Sequence, residues 1–221
     1  MCGTLVGMTD PWPLRHLVLR TPRLVLRPDD DAGLLELAEE ARMGVHPPEL
    51  MPFVTPWSDA PPEERALNTL QWHWQKRAEM TPARWNVHFL VRFDGHVVGT
   101  QELAATDFAV TREVSTGSWL GLRHQGRGIG TEMRAAVLMF AFDHLGATRA
   151  RSAAFFDNPA SLRVSEKLGY RPDGTETVVR RGVATDDVRL LLTPDAFRRP
   201  DWELAVDGVA ACLPMLEVSP G

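Results

Sequence analysis

The sequence predicts a mixed α+β fold: one mostly antiparallel sheet flanked by helices. A chain of 221 residues with 44% hydrophobic content can build one substantial core. Along it, period-two and helix-period stretches alternate in the order strand, two helices, three strands, helix, strand, helix and closing hairpin. That order lacks the regular strand–helix alternation of a parallel sheet.

Residues 22–28, PRLVLRP, alternate Leu24 and Leu26 with Arg23, Val25 and Arg27, a short strand held between two prolines. The acidic turn Asp29-Asp30-Asp31 offers N-cap oxygens to the amphipathic helix AGLLELAEEARM. Residues 46–62, HPPELMPFVTPWSDAPP, hold too much proline for regular structure; with Phe53 and Trp57 the loop is expected to cover a site. Pro61-Pro62-Glu63-Glu64 starts a second helix, running to Ala78, in which Trp72 and Trp74 point to different faces, one into the core and one towards a groove.

Residues 86–103 form two strands about Asp94-Gly95, a dipeptide suited to a tight hairpin turn. Residues 110–122, VTREVSTGSWLGL, make the next strand. After a glycine cluster and its helix, residues 148–156 read as a strand, residues 158–170 as a helix from Pro159, and residues 176–193 as a hairpin. Residues 202–216 add a strand or pack as a tail. The main domain therefore spans residues 21–195, between an N-terminal extension (1–20) and a C-terminal extension (196–221) packed on the same domain.

A net charge of -5 provides no basic field for nucleic acid and mildly favours a cationic small molecule or basic peptide end. The only cysteines, Cys2 and Cys212, supply neither a disulfide framework nor metal-ligand spacing, and histidines 16, 46, 73, 88, 96, 124 and 144 are scattered, so no metal is expected. No apolar run approaches the ~18–20 residues of a membrane span, and the N-terminus lacks the pattern of a leader. A reducing, cytoplasmic setting is expected.

The chemistry concentrates at Gly126, Gly128 and Gly130, directly ahead of a buried helix. A dinucleotide fingerprint would need glycine where Thr131 stands, and a nucleoside-triphosphate loop would need a lysine before it. A kinase glycine loop joins two strands, whereas this one opens a helix. What remains is a backbone that can approach an anion, unpaired helix-start N–H groups, and Arg123, His124 and Arg127 as cationic donors beside them. The alternative is a turn that merely packs tightly.

Gln125-Gly126-Arg127-Gly128-Ile129-Gly130 resembles the acyl-CoA pyrophosphate loop of the GCN5-related N-acetyltransferases. TPRLVLRP with its acidic turn resembles the opening of the family's RimJ/RimL-type branch, SWLGL its fourth strand, and NPASLRVSEKLGY its last helix, so the resemblance runs over residues 21–193. It implies a mostly antiparallel sheet of about seven strands with a V-shaped splay. It also implies acyl-CoA, carrying acetyl or a succinyl or other acyl group, as co-substrate. The acceptor would be a primary amine of a small molecule, an amino acid or a protein N-terminus, read by residues 46–62 and the closing hairpin.

By the same resemblance, the N–H groups of Gln125, Gly126, Arg127, Gly128, Ile129, Gly130 and Thr131 hold the pyrophosphate. Trp119, Leu120 and Leu122 lie along the pantetheine arm. Asn158 and Ser161 contact the arm and phosphate region, or else simply cap a helix. Many members protonate the leaving thiolate from a helix tyrosine at the position of Ser165; Tyr170, the chain's one tyrosine, instead ends that helix and packs. Ser161 and Ser165 are thus the candidate acids, and Glu102, Glu113 or a water chain the candidate base, with Glu102 preferred. The missing tyrosine leaves open a catalytically idle acyl-CoA-binding module, and exposed strands leave room for a homodimer.

Overall fold

This computed structural model describes residues 10–218; residues 1–9, with Cys2 and the segment read for a leader, and residues 219–221 lie outside the described residues. Strands β1 (Val18–Arg20) and β2 (Leu24–Pro28) lead into helices α1 (Asp31–Met43) and α2 (Pro62–Ala78). Next come β3 (Arg84–Phe93), β4 (His96–Thr106), the short helix α3 (Phe108–Thr111) and β5 (Glu113–Leu120). Then follow α4 (Ile129–Met139), β6 (Arg149–Phe155), α5 (Pro159–Leu168), β7 (Arg171–Arg180) and β8 (Val183–Leu192). The final elements are β9 (Ala205–Asp207) and α6 (Val209–Cys212).

Local chemistry sets the element ends. Asp30 caps α1 by accepting the Gly33 N–H at 2.7 Å, and Pro62 needs no partner in the first turn of α2. The β3–β4 hairpin turns on Asp94 and Gly95, with φ of 50° and 83°. Helix α5 stops at Gly169, where φ is +96° and a Cβ would lie 2.1 Å from the Ala196 carbonyl oxygen, so that only glycine fits.

The strands form one sheet in the order β7-β8-β6-β5-β4-β3-β2-β1-β9. Among the described residues this is nine strands, more than the expected seven or so, because the terminal segments contribute β1 and β9 at one edge. The same terminal segment completes the core: Leu216 is buried, and its carbonyl accepts the indole N–H of buried Trp85 at 3.1 Å. Helix α4 is buried on nearly every face beneath the sheet centre. Neither Trp72 nor Trp74 is in the core; they are 43% and 45% exposed. The residue between them, His73, is the buried one and meets Asp29 Oδ2 at 2.9 Å, because α2 packs a narrow polar stripe inwards. No helix among the described residues is long and apolar enough to cross a membrane.

One pair, β5 with β6, is parallel, and it is brief: only Glu113, Val114 and Ser115 register with Arg149, Ala150 and Arg151. Beyond that, β5 stays with β4 to Leu120 while β6 follows β8 to Phe155. The sheet opens there as a V.

Candidate active site

The V is the mouth of a cleft of about 710 Å³, within the range that holds a cofactor-sized ligand. Residues 116–120 of β5 form one wall, residues 152–155 of β6 the other, and the starts of α4 and α5 the floor. Residues 45–54 of the proline-rich loop, including Met51 and Phe53, cover it.

Gly128 caps α4 with φ +81°, and Gly126 has φ +73°, backbone that favours glycine at both positions. Gly130 has no such constraint; a Cβ there would make ordinary contacts with Leu120 and Val164. The first helical bond runs from the Glu132 N–H to the Gly128 carbonyl at 3.1 Å, so the preceding N–H groups have no partner inside the helix. They sit at the positive end of its dipole and open on the cleft. Gln125 differs from its neighbours: its N–H already donates to the Leu122 carbonyl at 3.2 Å, and its Nε2 to those of Val45 at 2.8 Å and Leu120 at 3.1 Å. It ties the loop to β5 and the cover.

The opening TPR segment has a physical purpose at this place. Buried Glu132, in the first turn of α4, accepts from Thr21 Oγ1 at 2.5 Å and Arg23 Nε at 2.7 Å, while Arg23 also donates to the Arg127 carbonyl at 3.2 Å. The pair neutralises a carboxylate beside an anion-binding helix end and fixes the loop to β2.

The expected cationic cluster is not in the cleft. Arg123 and His124 turn to Glu40, a buried carboxylate of α1, with His124 Nε2 3.2 Å away. Burial lowers the His124 pKa despite that partner. Gly121 of SWLGL makes this possible, since a Cβ there would lie 2.2 Å from Glu40 Oε2. Arg127 lies over the Phe93 ring, 4.8 Å from its centroid. Ile129 is buried in the core, and the Leu122 side chain is 42% exposed outside the cleft lining. Trp119 and Leu120 do line it, with Trp119 5.5 Å from Trp57, ring centre to ring centre.

Among the acid–base candidates, Ser161 lines the cleft and its hydroxyl makes no hydrogen bond among the described residues. Asn158 lines it too, and also caps α5 by accepting the Ser161 N–H at 3.2 Å. Ser165 is sealed below: 1% exposed, it donates to the Ser161 carbonyl at 3.1 Å and accepts from Arg134. It has no path to a ligand in the cleft. Tyr170 is buried against Thr116, their oxygens 3.2 Å apart. Glu113 pairs with Arg151 at 2.9 Å and Arg149 at 3.3 Å at the closed end of the V.

Glu102 stands on the opposite face of the sheet from α4, where Asn86 Nδ2 donates to it at 2.7 Å. Its Oε2 occupies the space a side chain at Gly117 would take, 2.6 Å from a Cβ built there, so it sits immediately behind the β5 wall. Burial raises its pKa. Two cleft residues had no signal in the sequence. Asp187 of β8 lines the wall with Oδ1 unpartnered, its pKa raised by burial and then by Glu176. Arg134 of α4 reaches the same cleft while almost fully buried. Both are brought there only by tertiary packing.

Residues 23–171 match the sequence profile described as an acetyltransferase (GNAT) domain. Two relatives from Bacillus subtilis are similar: YdaF, provisionally named a ribosomal N-acetyltransferase, is 26% identical over half of this chain, and "Probable N-acetyltransferase YjcK" is 31% identical over 46% of it. The matched stretches span 58% of each relative's length. Mycobacterium smegmatis RimJ, solved in complex with CoA-disulfide, shares the fold with a TM-score of 0.67 at 18% identity, over 91% of this chain and 95% of its own.

Proposed function

Because the chain belongs to the GNAT acetyltransferase family, we propose that it transfers an acyl group directly from acyl-CoA to a primary amine inside this cleft. The observation that carries the proposal is the meeting, in one cavity, of the unpaired α4 N–H groups with the stretch of β5 that has lost its strand partner on the β6 side. The amides of residues 126–131 hold the pyrophosphate. The pantetheine arm then lies along residues 117–120, where a backbone N–H polarises the thioester carbonyl.

The amine nitrogen attacks the thioester carbon; the C–N bond forms, the C–S bond breaks, and the electron pair leaves on sulfur. Glu102 takes the amine proton from behind Gly117, its raised pKa making it a stronger base than a solvated glutamate. The thiolate takes the Ser161 hydroxyl proton, which solvent in the open cleft replaces; Ser161 is the one serine of the two that faces the cleft. Residues 45–54 and Asp187 receive the amine, and the unpartnered Asp187 Oδ1 is free to accept a hydrogen bond from it. The name of YdaF supports a ribosomal component among the acceptors.

Incubation with acetyl-CoA, longer acyl-CoAs and a panel of amines and N-terminal peptides, followed by thiol release, tests this. Amine-dependent release is expected. Tight CoA binding with no release for any acceptor would favour the idle module, and absence of CoA binding would contradict both.

A further inference from the structure

Arg134 is 5% exposed, and its surroundings are neutral. Its Nη1 donates to Ser165 Oγ at 3.0 Å and its Nη2 to Ser118 Oγ at 3.2 Å. Its Nε–H is buried with no acceptor, and no carboxylate forms an ion pair or hydrogen bond with it among the described residues. Every other residue of α4 from Met133 to Met139 is apolar. Burial of a guanidinium without a counter-charge opposes folding, and arginine does not escape by losing its proton. A methionine in the same place would pack without that cost. The side chain also forms part of the cleft wall, as does Ser118.

The position selects the ligand. Arg134 lies six residues beyond the Gly128 cap, ~9 Å along the axis at ~1.5 Å per residue, and its fork is held on Ser165 and Ser118 rather than on the loop at the helix start. Ser118 belongs to the part of β5 that has no strand partner on the β6 side, the wall along which the thioester arm runs under the function proposed above, on which this inference rests. An anion at Arg134 therefore sits towards the acyl end of the donor. The guanidinium fork matches a carboxylate, and the Ser118 hydroxyl is the neutral partner that a carboxylate displaces from Nη2. We propose that Arg134 binds a carboxylate on the acyl group, so that the preferred donor is a CoA thioester of a dicarboxylic acid. Ser165, on the buried face of α5, is then a positioning residue that aims the guanidinium rather than an acid.

Calorimetric titration of the full chain with CoA, acetyl-CoA and succinyl-CoA tests this without knowledge of the acceptor. Succinyl-CoA is expected to bind at least about tenfold more tightly than acetyl-CoA. Arg134→Met should abolish that gap, read as the ratio of the two affinities within the variant, while Arg134→Lys, which keeps the charge and loses the fork, should retain part of it. If Arg134→Met does not fold, the parent and Arg134→Lys still give the comparison. Equal affinity of the parent for the two thioesters, or a gap that survives in Arg134→Met, overturns the proposal and leaves the acyl-CoA reading standing. Failure of the parent to bind any of the three overturns both.

Discussion

Glu102 is half-buried and accepts one hydrogen bond, from Asn86, and burial makes it hold its proton to higher pH than a solvated glutamate. As a base it must be charged, and activity should rise as pH rises through that elevated value. Glu102→Gln is expected to lower kcat roughly 10²–10⁴-fold and remove this acidic limb while the KM for acyl-CoA holds. The stability effect has the opposite sense. With the folded-state pKa raised, the stabilisation is full below the unfolded value and is lost as pH rises through the folded one. Glu102→Gln should therefore gain most in melting temperature over the parent at pH 8 and least at pH 4. An unchanged acidic limb would move the base to Asp187. At this scale the sequence was partly legible. Gly126 and Gly128 announce themselves because their backbone conformation requires glycine. Arg123, His124 and Arg127 misled because Glu40 and Phe93, which claim them, lie far upstream. Arg134 reads as one more polar residue on a helix until α5 and β5 close over it.

Among elements, the cover is held by the β7–β8 turn. Arg180 donates to the Met51 carbonyl at 3.2 Å and pairs with Asp157 at 2.8 Å, while Arg181 pairs with Asp59 at 2.5 Å. These half-exposed pairs contribute at most ~1 kcal/mol each to global stability, and salt screens them. Their effect is local: they fix residues 48–59 over the cleft. The double variant Arg180→Ala/Arg181→Ala should melt within a few degrees of the parent yet be cut several-fold faster by protease between residues 46 and 60. Unchanged cleavage would mean the loop is held by its own packing. Elements were the most legible level, since period-two and helix-period patterns are local. The departures are local too: β5 begins at Glu113, not Val110, because residues 108–111 close a helical turn, and β7 begins at Arg171, across Gly174.

At the scale of the molecule, both extensions join the sheet, and residues 205–216 close the core under Trp85. Cys212 reports on that closure. It is fully buried, and burial, with Asp10 second, pushes its thiol up to about 11. In a Cys2→Ser background its thiolate fraction at pH 8 is roughly a thousandth, so disulfide reagents should label it only as fast as the segment opens. Rapid labelling of the native protein would show the segment undocked. Strand order was beyond the residue pattern, and the V came only through family resemblance. A parallel pair three residues long leaves no periodic trace, and its partners meet across the whole of α4.

Under the proposed function, the N-terminus of α4 holds the pyrophosphate of coenzyme A. Gly128→Val places a branched side chain where φ is +81° and the nearest Arg23 nitrogen is 3.3 Å from the new Cβ. Calorimetric titration of CoA into the parent and this variant, with matched circular dichroism, is the direct measurement. Binding by the parent, weakened at least about tenfold (~1.4 kcal/mol) in the variant, is the predicted result. Equal affinity in both, or no binding by the parent, would contradict it.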